Sequence, residues 1–216
     1  MRWFRGAAAT PAKPEAKANA APRTSRRCIG LGEFTRELKG SEDRKLAVLD
    51  LGPTSPANIA FLTDRNVRAY HEDILRCAQE PSLYVKKEDG KTALDLAAFF
   101  AENLAYPDAH FDAVLCWDVA DYLPEELVKP VVESLYRVLK PKGTLLALFH
   151  TKDAGPNAPY YHYHIVKPDT LELEQGSGFQ VQRIFNNRHI ENLFRDFSSR
   201  KFFLGRDNLR EVIVVR

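Results

Sequence analysis

The chain has 216 residues, 44% of them apolar and 28% charged, with a formal net charge of +2. That length carries one good hydrophobic core plus appendages, with no second full domain. Three cysteines, Cys28, Cys77 and Cys116, are too few and too scattered for a disulfide framework or a zinc site, and no run of 18 apolar residues offers a membrane span. The chain therefore reads as cytoplasmic and reduced.

Charge is unevenly spread. Residues 1–27 hold seven Lys or Arg against Glu15, a local +6 that leaves −4 for the remainder. This stretch is rich in Ala, Pro and Lys and cannot bury enough surface to offset chain entropy, so residues 1–27 are expected to be a disordered basic leader. It lacks an apolar h-region, so no secretory signal is expected. Residues 28–216 are expected to form a single α/β domain.

Within that domain the first helical pattern runs from Gly30 to Lys39, with Leu31, Phe34 and Leu38 on one face. An apolar strand, Leu46–Leu51, ends in Asp50-Leu51-Gly52, and a short turn leads into a helix over Asn58–Asp64 with Pro56 in its first turn, where no amide donor is needed. A second strand, Val67–His71, runs into Glu72-Asp73, ahead of a helical Ile74–Gln79 and a charged connection over Pro81–Lys91. Leu94–Asn103 is apolar at helical spacing. Phe111–Trp117 has the length and near-continuous apolar character of a strand buried on both faces. Glu125–Leu139 reads as an amphipathic helix, interrupted or begun at Pro130 and stopped by Lys140–Gly143.

Thr144–Phe149 is another buried strand. Asp153–His164, rich in Pro, Tyr and His, reads as a loop over the ligand-binding edge, although the alternating Tyr161-His162-Tyr163-His164 also fits a half-exposed strand. Phe179–Phe185 is expected as a strand. Ile190, Leu193, Phe194 and Phe197 mark an amphipathic helix, and Val212–Val215 a short terminal strand. Strands alternating with helices at this spacing predict a doubly wound, mainly parallel, Rossmann-like sheet with an antiparallel C-terminal edge.

Four segments in register carry a resemblance. They are LDLG at 49–52, the acidic strand end at 72–73, YPDAHFDAV at 106–114, and YRVLKPKGTLLALF at 136–149. Together, over about half of the chain, these resemble the class I S-adenosylmethionine-dependent methyltransferases. The resemblance implies that Asp50 and Gly52 lie beside the methionine part of S-adenosylmethionine, with loop amides at its carboxylate. It implies that Glu72 or Asp73 receives the ribose hydroxyls; the alternative for Asp73 is a helix N-terminal acid. Where members carry further loop glycines this chain has Thr54 and Pro56, and where they carry an Asp at the adenine amine it has Phe100, a ring that would stack on adenine or fill the pocket.

The end of the Phe111–Trp117 strand faces cofactor and acceptor in the resembled fold. Trp117, Asp118, Asp121 and Tyr122 are therefore acceptor-side candidates, with Asp118, Tyr122 and His150 as the catalytic set: a carboxylate there would take a proton or flank the sulfonium charge. The bland alternative has Trp117 as core and Asp118 as a helix N-cap. His150, His162 and His164 with Tyr160, Tyr161 and Tyr163 cluster after the Thr144–Phe149 strand, where they would gate or line an acceptor pocket; they lack metal-ligand spacing. Arg183–Arg206 carries a local +4 with interleaved phenylalanines, but Phe194 and Phe197 share the apolar stripe and the body is mildly acidic, so nucleic acid is not the expected partner. Two functions follow: methyl transfer from S-adenosylmethionine to a small-molecule or unidentified acceptor, or a catalytically inactive member of the fold that binds a protein partner and regulates.

Overall fold

Strand-length apolar runs put side chains alternately on two faces, and in this chain both faces are covered. In the computed structural model, which describes residues 22–38, 40, 44–86, 90–151, 158–205 and 207–216, the elements in chain order are β1 (Arg23–Arg27), α1 (Ile29–Glu37), β2 (Leu46–Asp50), α2 (Pro56–Thr63), β3 (Val67–His71), α3 (Ile74–Cys77), β4 (Tyr84–Lys86), β5 (Thr92–Leu94), α4 (Leu96–Glu102), β6 (Phe111–Trp117), α5 (Val119–Tyr122), α6 (Glu125–Val138), β7 (Leu139–His150), β8 (Tyr161–Lys167), β9 (Thr170–Gln175), α7 (Asn187–Leu193), β10 (Ser199–Leu204) and β11 (Leu209–Val215). No helix among these residues is long and apolar enough to cross a membrane.

The main sheet has the order β10-β11-β7-β6-β2-β3. β3, β2, β6 and β7 pair in parallel, while β11 and β10 close the edge antiparallel, as the sequence leads one to expect. Alternation splits the core cleanly. Leu49, Val114 and Leu145 face the side covered by α3, α4, α6 and α7, whereas Val48, Ala113 and Leu146 face α1, α2 and a small second sheet. The chain steps outward from β2 to β3 and then returns to lay β6 on β2's other side. That reversal opens a crevice beyond Asp50 and Trp117, the place where open α/β sheets take their ligands.

Most expected elements are present, and the differences have physical causes. Lys140–Gly143 does not separate helix from strand: α6 ends at Val138 and β7 begins at once, with Lys142 at φ 67° absorbing the bend. Pro130 sits inside α6 without ending it. Tyr161–His164 is not loop but the start of β8, the strand alternative that its alternation offered; β8 pairs with β9, and β9 with β1, in the second, antiparallel sheet, and residues 153–157 of the expected loop lie outside the described residues. Phe179–Phe185 forms no strand. Its amides are claimed elsewhere, Gln182 and Arg183 donating to the Asp121 carbonyl at 2.7 and 3.2 Å.

The expectation of a disordered leader does not hold over its last five residues. Residues 1–21 lie outside the described residues, but Arg23–Arg27 is strand, because its arginines find acids far along the chain. Arg23 meets Glu174 at 2.7 Å and Arg27 meets Asp169 at 3.1 Å. Arg26, only 6% exposed, pairs with Asp207 and reaches Glu211 at 2.9 Å. Glu211 itself is 1% exposed. Replacing Arg26 with Ala leaves that carboxylate buried without its cation, and the variant is expected to lose about 3–5 kcal/mol in urea unfolding. A loss below about 1 kcal/mol would show that this pair does not hold the two sheets together.

Candidate functional site

The crevice is organised by Asp50, the last residue of β2, which has no exposed surface. Its carboxylate accepts from the Trp117 indole Nε1 at 2.6 Å, the Asn58 Nδ2 at 2.8 Å and the Gly52 amide at 3.0 Å, and His71 Nδ1 lies 3.9 Å away. Burial pushes this carboxyl above its ordinary pKa while the three donors pull it back. Asn58 also donates to the Tyr163 carbonyl and accepts from the Ile165 amide, so α2 and β8 are tied through one side chain. Ser55 caps α2, and its Oγ meets His164 Nδ1 at 2.8 Å.

The residues expected around a cofactor are taken up by the chain itself. Gly52 is buried beneath Trp117: a Cβ there would lie 3.1 Å from the indole Cδ1. Thr54 is exposed, and Pro56 is the first residue of α2. Glu72 uses its carboxylate on the Leu104 amide, at 3.1 and 3.2 Å from its two oxygens; burial raises its pKa. Asp73 is the N-cap of α3, accepting from the Arg76 amide at 3.2 Å, which is the helix-terminal alternative. Phe100 packs edge-on to Phe99 with ring centres 5.1 Å apart. The cavity left between Gly52, Trp117, Tyr160 and Tyr163 is about 10 Å³, room for about one water molecule.

The acceptor-side candidates do come together. Asp118 is buried and accepts from the Tyr163 hydroxyl at 2.7 Å; its side chain makes no helix cap, contrary to the bland alternative. Burial pushes it up to about 7, against the pull of His150 and Tyr163. Asp121, with no exposed surface, accepts from the His150 amide at 2.6 Å and faces His150 Nδ1 at 2.9 Å through the same oxygen; its other oxygen has no partner among the described residues. Burial alone would lower His150, but the Asp121 hydrogen bond and the charges of Asp118 and Asp121 outweigh it and hold the imidazole above its ordinary pKa. Tyr122 lies edge-on to both His150 and Tyr160 and donates to the Pro159 carbonyl at 3.3 Å.

On its other side His150 lines a cleft of about 1260 Å³ between β1, β9 and the β10–β11 hairpin, walled by Tyr161, Ile29, Leu173, Leu204 and Leu209. Tyr161 lines both this cleft and the small cavity over Gly52. A buried His–Asp pair on a large, partly apolar cleft is an arrangement that can accept and hold a proton from a bound molecule. Among the described residues no three His, Cys, Asp or Glu side chains group as metal ligands. Asn58 is the member that sequence reasoning did not single out; its one signal is a polar residue within an apolar helical run. Tyr163 belongs to the tyrosine and histidine cluster expected near the acceptor, but its bond to Asp118 depends on where β8 docks.

Comparison with known proteins fits this geometry. Residues 49–147 match a family model described as a methyltransferase domain. Over 110 residues the chain is 34% identical to the ubiquinone/menaquinone biosynthesis C-methyltransferase of Bordetella avium, covering 50% of this chain and 38% of that one, so the chain spans well under half of that relative's length. Among solved structures, a SAM-dependent methyltransferase from Archaeoglobus fulgidus is similar with a TM-score of 0.52 at 11% identity, covering 87% of this chain and 92% of that one. A protein of Pyrococcus horikoshii follows at 0.50 and 14%, covering 87% and 88%. These two likenesses concern the fold.

The raised carboxyl of Asp118 has a consequence for stability. The folded protein keeps a proton that the unfolded chain, with an ordinary value of 3.8, releases. That contribution is fully present below about 3.8 and is lost as pH rises to about 7. Urea unfolding between pH 5 and 8 is expected to show this decline, and Asp118→Asn to flatten it. An equal slope in both proteins would mean that Asp118 titrates normally.

Proposed function

We propose that this chain is a class I S-adenosylmethionine-dependent methyltransferase, a reading supported by the match of residues 49–147 to a methyltransferase domain, and that it methylates a small molecule seated in the cleft before His150. S-adenosylmethionine is the cofactor of that family and supplies the methyl group when bound. The observation that carries the proposal is the His150–Asp121 pair, buried and hydrogen-bonded at one end and lining the cleft at the other.

The residues at the crevice do not fit the cofactor while Trp117 covers Gly52. Asp50 and Glu72 have their oxygens engaged, and about 10 Å³ remains where a cofactor-sized ligand needs several hundred. What this chain's own groups do is clearer on the acceptor side. His150 takes a proton from an acceptor oxygen or nitrogen, and Asp121 fixes the ring and steadies the imidazolium. The apolar wall of Leu173, Leu204 and Leu209 orients an apolar body against that imidazole. The filled crevice favours a second reading, in which the fold binds a partner without catalysis.

Calorimetric titration with S-adenosylmethionine and S-adenosylhomocysteine separates the two. Micromolar binding supports the enzyme; no heat and no thermal shift up to millimolar ligand removes it and leaves the binding module. For the active protein, release of S-adenosylhomocysteine across a panel of small-molecule acceptors identifies the substrate. His150→Ala is then expected to lower turnover by about 10²–10⁴-fold, with cofactor affinity unchanged. Turnover of the unaltered protein should rise with pH as His150, held above its ordinary value, loses its proton. Full turnover in His150→Ala would take the base role from this residue.

A further inference from the structure

Trp117 ends β6 at φ 49°, in the left-handed region that a bulky residue occupies only when its surroundings hold it there. That backbone turn goes with an indole lying back across the sheet edge, and three contacts fix the ring. Its Nε1 donates to Asp50 at 2.6 Å. One face stacks on Tyr163, with ring centres 5.1 Å apart and planes 11° from parallel, and the Tyr163 hydroxyl is itself anchored on Asp118. The five-membered ring edge rests on Gly52, so close that a Cβ there would meet Nε1 at 3.2 Å and Cδ1 at 3.1 Å. Trp117 is 3% exposed.

We propose that Trp117 is a resident plug: its indole occupies the place that the family's cofactor would take over Gly52, and the site opens only when the ring leaves. This deepens the methyltransferase reading and rests on it. The plug explains why the crevice at the switch between β2 and β6 is nearly without volume although the strand order puts a ligand place there. It also joins cofactor binding to a conformational change. A ligand that binds only the open form has its apparent affinity lowered by the fraction of molecules that are open, and removing the plug restores that affinity.

The chain has two tryptophans, Trp3 and Trp117, so Trp3→Phe leaves Trp117 as the sole emitter. S-adenosylhomocysteine is the probe. Saturating it is expected to move the emission of the Trp3→Phe protein to longer wavelength as the indole leaves its buried place. Trp117→Ala is expected to bind the same probe at least tenfold more tightly by calorimetry. Trp117→Phe keeps a ring against Tyr163 but loses the N–H bond to Asp50, and an intermediate gain is expected. Far-ultraviolet circular dichroism checks that both variants are folded; if Trp117→Ala is not, the emission shift and the Trp117→Phe affinity decide. Equal affinities with unmoved emission overturn the plug and leave the methyltransferase reading standing. Folded variants and unaltered protein that all fail to bind overturn both.

Discussion

A carboxylate with no access to water has to be surrounded by donors, because leaving it bare inside a fold costs several kcal/mol. Asp50 is such a group, and the segments that meet at the crevice are arranged around it. The loop after β2 gives the Gly52 amide, α2 gives Asn58, and β6 gives the indole of Trp117. Two of these donors carry the constraint further. Asn58 spends its remaining polar atoms on the backbone of β8, and Trp117 lays its ring on Tyr163 of the same strand. The second sheet is thus hung on the first through the partners of one carboxylate, with Arg26 and Glu211 making a separate buried tie at β1.

That arrangement divides the ligand edge into two unlike regions. Over Gly52 it is aromatic and nearly without volume, with Asp118 in its wall. Beyond Tyr161 it widens into the cleft lined by His150, whose imidazole is held by the buried Asp121. Three titratable groups so close act as one unit, and the proton count belongs to the cluster before it belongs to any member. Burial raises Asp118 and Asp121 against the pull of His150, whereas the Asp121 hydrogen bond and the two carboxylates raise His150 against its own burial. A cluster whose members perturb one another in this way is suited to exchanging a proton with a bound molecule.

Much of the main sheet was legible because its strands announce themselves locally. Phe111–Trp117 reads as a buried strand from composition alone, and Val67–His71 ends where expected. The second sheet was not legible as a sheet, since β1 has no apolar pattern and is joined to β9 by pairs such as Arg23–Glu174, 151 residues apart; the alternation Leu171-Glu172-Leu173-Glu174 marks β9 locally without saying what it pairs with. The site divides the same way. Asp118, Asp121, Tyr122 and His150 follow from position at strand ends and do assemble. Glu72, Asp73 and Phe100 occupy the anticipated places, yet their side chains turn to the Leu104 amide, a helix cap and Phe99. Sequence fixes which residue stands at an edge; the direction its side chain takes depends on neighbours that arrive from far along the chain.

The departures in the loop after β2 become intelligible once the indole is in view. A glycine is required where something approaches the backbone too closely for a Cβ, and in this loop that position is 52, with Trp117 as the approaching group. Thr54 is exposed and meets no such demand, and Pro56 opens α2 at a position that needs no amide. The loop therefore carries glycine where its own tryptophan comes close and other residues where nothing does. Phe100 and Glu72 extend the pattern, one packed on Phe99 and the other spent on Leu104. The closed crevice is then a self-consistent packing solution with two residues in the left-handed region, Trp117 at φ 49° and Leu104, the partner of Glu72, at φ 54°. Strain in the residue that fills the crevice gives that residue a reason to leave when a ligand supplies better partners.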